Sequence, residues 1–301
     1  MRKIVVQLVA GAAAIAAVST IAIVAWPIGA QVELQELEGN AGRGAYLARM
    51  SGCIACHTDT ENGGAPLAGG LSLPTDFGTF YSPNLTMSAK FGMGEWTIDQ
   101  FAKALRQGVS PSGEPYYPAF PFPFYAKLSD QDVADLWTAF KTVPAVEIAS
   151  KDHEMKFPFS FRAGLKLWRA AFVDFEKFQE DTSKSAAWNR GKYIVEGPAH
   201  CGACHTPRNF AGARQVEQRL HGANKLPDGG KSPAITKEEL LEKGWTVEGL
   251  AYALKTGIKY DGDVFGGSMV EVVRDGTSFL SPKDLSAIAT YLLGDQNAAD
   301  K

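Results

Sequence analysis

The sequence predicts an all-α fold, with two tandem helical domains behind an N-terminal transmembrane helix. Three observations predict it. Residues 4–26 form an uncharged run whose only polar side chains are Gln7, Ser19 and Thr20. A pentapeptide Cys-x-x-Cys-His occurs twice, as Cys53-Ile54-Ala55-Cys56-His57 and as Cys201-Gly202-Ala203-Cys204-His205, and the two copies account for all four cysteines in 301 residues. The residues flanking the second copy repeat those flanking the first, and helix start and stop signals recur with them.

The apolar run follows Arg2 and Lys3 and exceeds the 7 to 15 residues usual for a signal-peptide core, reaching the ~20 needed to span a bilayer. The basic pair places the amino terminus in the cytoplasm and the rest outside. Residues 1–30 therefore read as a retained anchor, with a cleaved signal ending at Ala30 as the alternative. Residues 31–40 form a short polar tether.

In Cys-x-x-Cys-His the two thiols add to the vinyl groups of a haem and the histidine turns onto the iron, so one short turn supplies three attachment points. A single zinc shared by the two pairs is disfavoured, because zinc pairs usually lie about 15–20 residues apart and carry no trailing histidine of this kind. A thioredoxin-like redox pair needs a βαβ context, and no alternating pattern brackets either motif. The sequence thus implies two covalently bound haem c groups, with thioethers from Cys53, Cys56, Cys201 and Cys204 and proximal imidazoles from His57 and His205. The net charge of −3 without like-charge blocks gives no sign of nucleic acid.

The repeat extends outward from the motifs. Arg43-Gly44 with Tyr46 before the first motif matches Arg190-Gly191 with Tyr193 before the second. Downstream, Trp96 pairs with Trp245, Gly108 with Gly257, Gly113 with Gly262 and Leu128-Ser129 with Leu280-Ser281. The domains read as 40–145 and 186–296, joined by a helical connector at 146–185 that is rich in aromatic residues and expected to pack the two together. Thr97 with Gln100 has capping-box spacing ahead of a helix stopped by Gly108, and Thr236 with Glu239 repeats the device with Gly244 as its stop. Ser129 with Asp132, and Ser281-Pro282 with Asp284, start the two closing helices. The glycine- and proline-rich stretches 63–74 and 110–123 read as loops wrapping a haem.

With these residues in view, the chain resembles the membrane-bound cytochrome c subunits of bacterial alcohol and gluconate-type dehydrogenases. The carrying stretches are Pro83-Asn84-Leu85-Thr86, Gly94-Glu95-Trp96, Tyr117-Pro118-Ala119-Phe120-Pro121, Phe157-Pro158-Phe159 and Trp188-Asn189-Arg190-Gly191, continuing to His205-Thr206-Pro207-Arg208-Asn209. The resemblance implies two class I-like cytochrome c domains. It also implies electron transfer from a periplasmic dehydrogenase subunit to the quinone pool, a cytochrome or a terminal oxidase, at the periplasmic face of the inner membrane. Members commonly carry three haem motifs and a C-terminal anchor, whereas this sequence shows two motifs and an N-terminal apolar run. By resemblance to small cytochromes c, the Pro66 carbonyl is expected to accept the free N–H of His57.

Met269 follows His205 by 64 residues in a Gly266-Gly267-Ser268 loop and is the expected sixth ligand of the second iron. In the first copy the aligned residue is Phe120, which cannot ligate, and members of the resembling family usually have methionine there. Met87, Met93, Lys127 or no residue at all remain the options at the first iron. His153, His200 and His221 read as structural or exposed, with His200 at a haem edge. The chain is expected to act as an electron carrier or electron-transfer subunit. The alternative is a dihaem oxidoreductase with catalysis on a thiosulfate- or peroxide-type substrate at the first haem.

Overall fold

Two crossed helix pairs organise the molecule in its computed structural model, which describes residues 2–34 and 37–295. The apolar run is α1 (Arg2–Ala25). It is followed by α2 (Ala41–Met50), the one-turn α3 (Cys53–Cys56), α4 (Ile98–Gln107), the one-turn α5 (Phe122–Tyr125) and α6 (Asp130–Phe140). The connector holds α7 (Gly164–Phe172). Beyond it come α8 (Ala186–Glu196), α9 (Lys237–Glu242), α10 (Val247–Thr256), α11 (Met269–Asp275) and α12 (Pro282–Leu293).

The helix starts follow local chemistry. Asn40, Thr97, Ser129, Ser185, Thr236, Thr246 and Ser281 each accept a first-turn N–H through the side chain, satisfying a donor that a helix start leaves open. Thr97 and Gln100 complete the reciprocal capping box. The Thr236 signal starts α9, but the counterpart of α4 is the next helix, α10, capped by Thr246 and stopped at Gly257 as α4 is at Gly108.

α2 crosses α6, and α8 crosses α12, at backbone contact. Gly44 and Gly191 permit this: a Cβ on Gly44 would stand 2.0 Å from the Asp135 carbonyl oxygen, and one on Gly191 would stand 1.9 Å from that of Ala287. The repeated Arg-Gly dipeptide is therefore a packing signature.

The fold departs from the expected all-α class. β1 (Ser72–Thr75) and β2 (Gly78–Tyr81) pair as an antiparallel hairpin, and β3 (Glu154–Met155) adds to β2 with Gly78 opposite Met155. Part of this sheet lies in the stretch expected to be loop. Four-residue arms with Pro74 in one of them are too short for a period-two pattern to show, and the third strand arrives only from beyond α6.

The two motif copies share buried side chains, which form one continuous cluster from Leu47 to Leu293. The copies interlock reciprocally. The Tyr46 hydroxyl accepts from the Ser281 N–H at 3.0 Å and donates to Asp284 at 2.7 Å. Tyr193 does the same in the opposite direction, accepting from the Ser129 N–H at 3.2 Å and donating to Asp132. Each copy's first helix thus holds the start of the other copy's last helix, the isologous pattern of a two-fold dimer within one chain.

Candidate functional site

Each Cys-x-x-Cys-His segment coils into a short turn, α3 in the first copy and the 3-10 turn Cys201–Ala203 in the second. The His57 N–H bonds the Cys53 carbonyl at 2.9 Å, and the His205 N–H bonds that of Cys201 at 3.0 Å. The residue entering each turn is left-handed, Gly52 at φ 68 and His200 at φ 40. Glycine adopts this freely, while a histidine held there carries strain of roughly 1–3 kcal/mol.

The imidazoles are gripped from behind. His57 Nδ1 lies 2.8 Å from the Pro83 carbonyl, and His205 Nδ1 lies 2.8 Å from that of Pro233. A carbonyl only accepts, so Nδ1 carries the proton and Nε2 keeps its lone pair. The expected acceptor, Pro66, is therefore replaced by Pro83. The Leu85 N–H bonds the Leu67 carbonyl at 2.8 Å and the Gly69 N–H bonds the His57 carbonyl at 2.8 Å, which zips the 82–85 segment alongside the ring. The second cradle repeats these bonds, Ile235 N–H to Leu220 and Gly222 N–H to His205. In both cradles a threonine Oγ1, from Thr58 or Thr206, accepts the N–H of a left-handed leucine, Leu67 or Leu220.

Burial lowers the pKa of both His57 and His205 against the opposing pull of the prolyl carbonyls, so both rings are neutral near pH 7. Burial pushes the Cys53 and Cys201 thiols up to about 12. That disfavours thiolate redox chemistry. All four cysteines are free, and among the described residues no three of His, Cys, Asp or Glu converge on a point that could hold a metal ion. Paired thiols one turn from a neutral imidazole with an open Nε2 fit covalent haem c.

The remaining candidates fall in different places. Met269 heads α11, half-buried, on an element that packs against α3, α10 and the 3-10 turn Thr277–Phe279. Phe120 lies among the rings of Tyr116, Phe122 and Tyr125. Met93 is a core residue whose N–H bonds the Thr86 carbonyl, and Met87 packs on the same core. The Lys127 ammonium faces Glu196 at 3.7 Å. His153 accepts the Tyr81 N–H, and His221 is exposed.

The two Cys-x-x-Cys-His turns meet. A Cβ on Gly52 would lie 3.6 Å from His200 Cε1, so the equivalent entry residues of the two copies face each other. α5 seals this junction: the Tyr125 hydroxyl donates to the Ser51 carbonyl at 2.6 Å, its ring lies edge-on to His200, and Phe124 stands 3.4 Å from a Cβ on Gly202. Pro83, Pro233, Phe124 and Tyr125 escaped the motif reading. The recurrence of Ser-Pro at 82–83 and 232–233 was the available signal for the first two. A cavity of about 700 Å³ lies beside the second turn, lined by Phe124, Phe172, Val195, Gly202 and Leu220 with Arg214 at its wall. It includes neither His57 nor His205.

No family model matches the chain. It is 38% identical over 268 residues to the gluconate 2-dehydrogenase cytochrome c subunit of Pantoea cypripedii, covering 85% of this chain and 60% of that protein. It is 40% identical over 253 residues to the fructose dehydrogenase cytochrome subunit of Gluconobacter japonicus, covering 83% and 51%. It is 39% identical over 259 residues to a diheme cytochrome c-type protein of Cereibacter sphaeroides, covering 85% and 86%. The chain therefore spans little more than half the length of the two dehydrogenase subunits and most of the third relative.

Proposed function

The chain belongs to the c-type cytochrome family of these relatives, and from that premise we propose that it is a dihaem electron relay between a periplasmic dehydrogenase and the respiratory chain. Haem c, covalently bound as in that family, supplies the one-electron chemistry of its iron. Cys53 with Cys56 and Cys201 with Cys204 hold one group each. His57 and His205, oriented by Pro83 and Pro233, would hold the two irons, and Met269 would be the further ligand in the second copy. The haem-bearing parts are residues 40–145 and 186–296, with 146–185 between them.

The single observation that carries the reading is the junction at Gly52 and His200, where two equivalent attachment turns face each other within one core. A relay needs its two centres close and rigidly spaced, and a shared core supplies both. Two of the relatives are named as subunits of dehydrogenases, which supports a dehydrogenase as donor; the acceptor is the quinone pool, a cytochrome or a terminal oxidase. α1 is long and apolar enough to cross a membrane. It anchors the chain in the inner membrane with the rest in the periplasm. Catalysis on a thiosulfate- or peroxide-type substrate gains no support from these relatives.

The test is a pyridine haemochrome count on the purified full-length chain, followed by anaerobic mixing with the dehydrogenase that co-purifies with it and that enzyme's substrate. Two haems per chain and reduction of both are expected. Fewer than two, or no reduction by any co-purifying dehydrogenase, overturns the proposal.

A further inference from the structure

α7 is inside out. Its buried position holds a cation, Arg169 (6% exposed), which donates to the Gly108 carbonyl and lies over the Phe122 and Phe175 rings. Its outward positions hold Leu167 and Ala170, while Ala171 and Phe172 turn toward the cavity beside the second turn. A helix on a water-facing surface has the reverse distribution. The apolar outward face continues into neighbouring loops, with Phe157 at 87%, Phe161 at 49% and Phe210 at 98% exposed. Phe210 belongs to this patch because the Trp168 indole donates to the carbonyl of the adjacent Ala211 at 2.9 Å.

What covers this face follows from α1. The Lys166 ammonium, on α7, donates to the Val24 carbonyl at 2.7 Å and to the Trp26 carbonyl at 2.6 Å, capping the end of the apolar helix. α7 is therefore tied to the level at which α1 would leave the bilayer, with exposed Trp26 beside it as an interfacial aromatic residue. Residues 156–173 carry no acid, and apart from the buried Arg169 their cations are Lys156, Arg162 and Lys166. Exposed Leu167, Phe157 and Phe161 alternating with cations match the make-up of segments lying in a lipid interface. We propose that the outward face of α7, with Phe157, Phe161 and Phe210, rests in the headgroup layer of the bilayer that α1 crosses. The chain then has a second membrane contact that fixes the height and tilt of its attachment turns. This rests on reading α1 as a retained anchor.

The test places the full-length haem-loaded chain in nanodiscs of phosphatidylglycerol and phosphatidylcholine doped with a diazirine-bearing phospholipid, and maps photo-adducts by mass spectrometry. Adducts are expected on 157–172 as well as on 2–25. The pair Phe161→Asp and Leu167→Asp, both at exposed positions, should lower adducts on 157–172 by about tenfold, because aspartate is strongly disfavoured in apolar lipid. Haem content, melting temperature and adducts on α1 should stay unchanged. Adducts confined to 2–25 overturn the proposal. So does protection of 157–172 that appears only when the dehydrogenase is bound, which makes the face a protein contact. Intact mass separates the two failures. A mature chain beginning near Gln31 overturns the anchor reading and this inference with it, whereas an intact α1 without adducts on 157–172 overturns the inference alone.

Discussion

The segment after the glycine stop has one backbone design in the two copies and two different surroundings. Ser110 N–H bonds the Glu114 carbonyl at 2.9 Å, Lys259 N–H bonds that of Asp263 at 2.7 Å, and Gly113 and Gly262 both turn at φ 85. In the first copy the segment is sealed: Val109, Tyr117, Phe122 and Phe124 are buried. Phe175 stacks on Phe122, and the Tyr117 hydroxyl donates to the Phe159 carbonyl at 2.9 Å, so the connector supplies the cover. In the second copy Ile258, Tyr260, Val264 and Val270 are exposed. The exchange of methionine for phenylalanine falls at the same place. Where aromatic rings fill the space, Phe120 stands; where the segment is open, Met269 does. A duplicated frame is thus covered by the connector in one copy and exposed in the other.

Removing the attachment cysteines pairwise breaks this comparison with the largest expected effect. Cys53→Ala with Cys56→Ala, and Cys201→Ala with Cys204→Ala, should each leave one covalent haem per chain. The second pair should cost more stability, by about 2.5 kcal/mol if its haem covers roughly 100 Å² more apolar surface at ~25 cal/mol per Å². Denaturant melts of both variants measure the difference, and equal losses would mean that the exposed segment of the second copy does not depend on its haem.

Axial ligation comes next. Met269→Ala should lower one haem potential by on the order of 0.1 V, within the ~0.8 V range that axial ligands span, and leave the other in place. Phe120→Met should narrow the gap between the two. Redox titration of the wild type already tests the premise, since two equivalent low-spin His/Met haems would abolish the asymmetry.

The reciprocal tyrosines sharpen the comparison at smaller cost. Tyr46→Phe removes a partner from buried Asp284, and Tyr193→Phe removes one from the less buried Asp132. Losses of about 2 and about 1 kcal/mol are expected from chemical denaturation. Burial works against the Asp284 carboxylate, but hydrogen bonds from Arg190 and Tyr46 outweigh it and hold its pKa below the ordinary value. That contribution is complete above the unfolded pKa of about 3.9 and is lost as pH falls through the folded value, so Tyr46→Phe should move acid unfolding to higher pH.

The smallest effect on stability is expected for His200→Gly, which gives the second entry turn the residue of the first. Relief of left-handed strain offsets the lost contact, and the net change should stay within about 0.5 kcal/mol. Haem content should not change. The magnetic coupling between the two ferric centres, read by electron paramagnetic resonance, should change if the ring spaces the two turns.

Much of this protein was legible locally. Both Cys-x-x-Cys-His turns, the caps at Thr97, Ser129 and Ser281, and the glycine stops depend on residues a few positions apart, and the chemistry of a short segment determines them. The paired Arg-Gly dipeptides also showed, although only the crossing of α2 over α6 and α8 over α12 explains why glycine is needed. Other features depend on partners that the chain brings together from far apart. That Pro83 and not Pro66 holds His57 follows from how the 82–85 segment zips to residues 67–70. That the fold contains a sheet follows from β3 reaching β2 from beyond α6. That the two copies share one core, with Tyr46 and Tyr193 exchanged and His200 set against Gly52, follows from helix pairs burying their apolar faces against each other. A repeat in sequence specifies two similar surfaces, and only tertiary packing decides whether those surfaces meet water, a cofactor or one another.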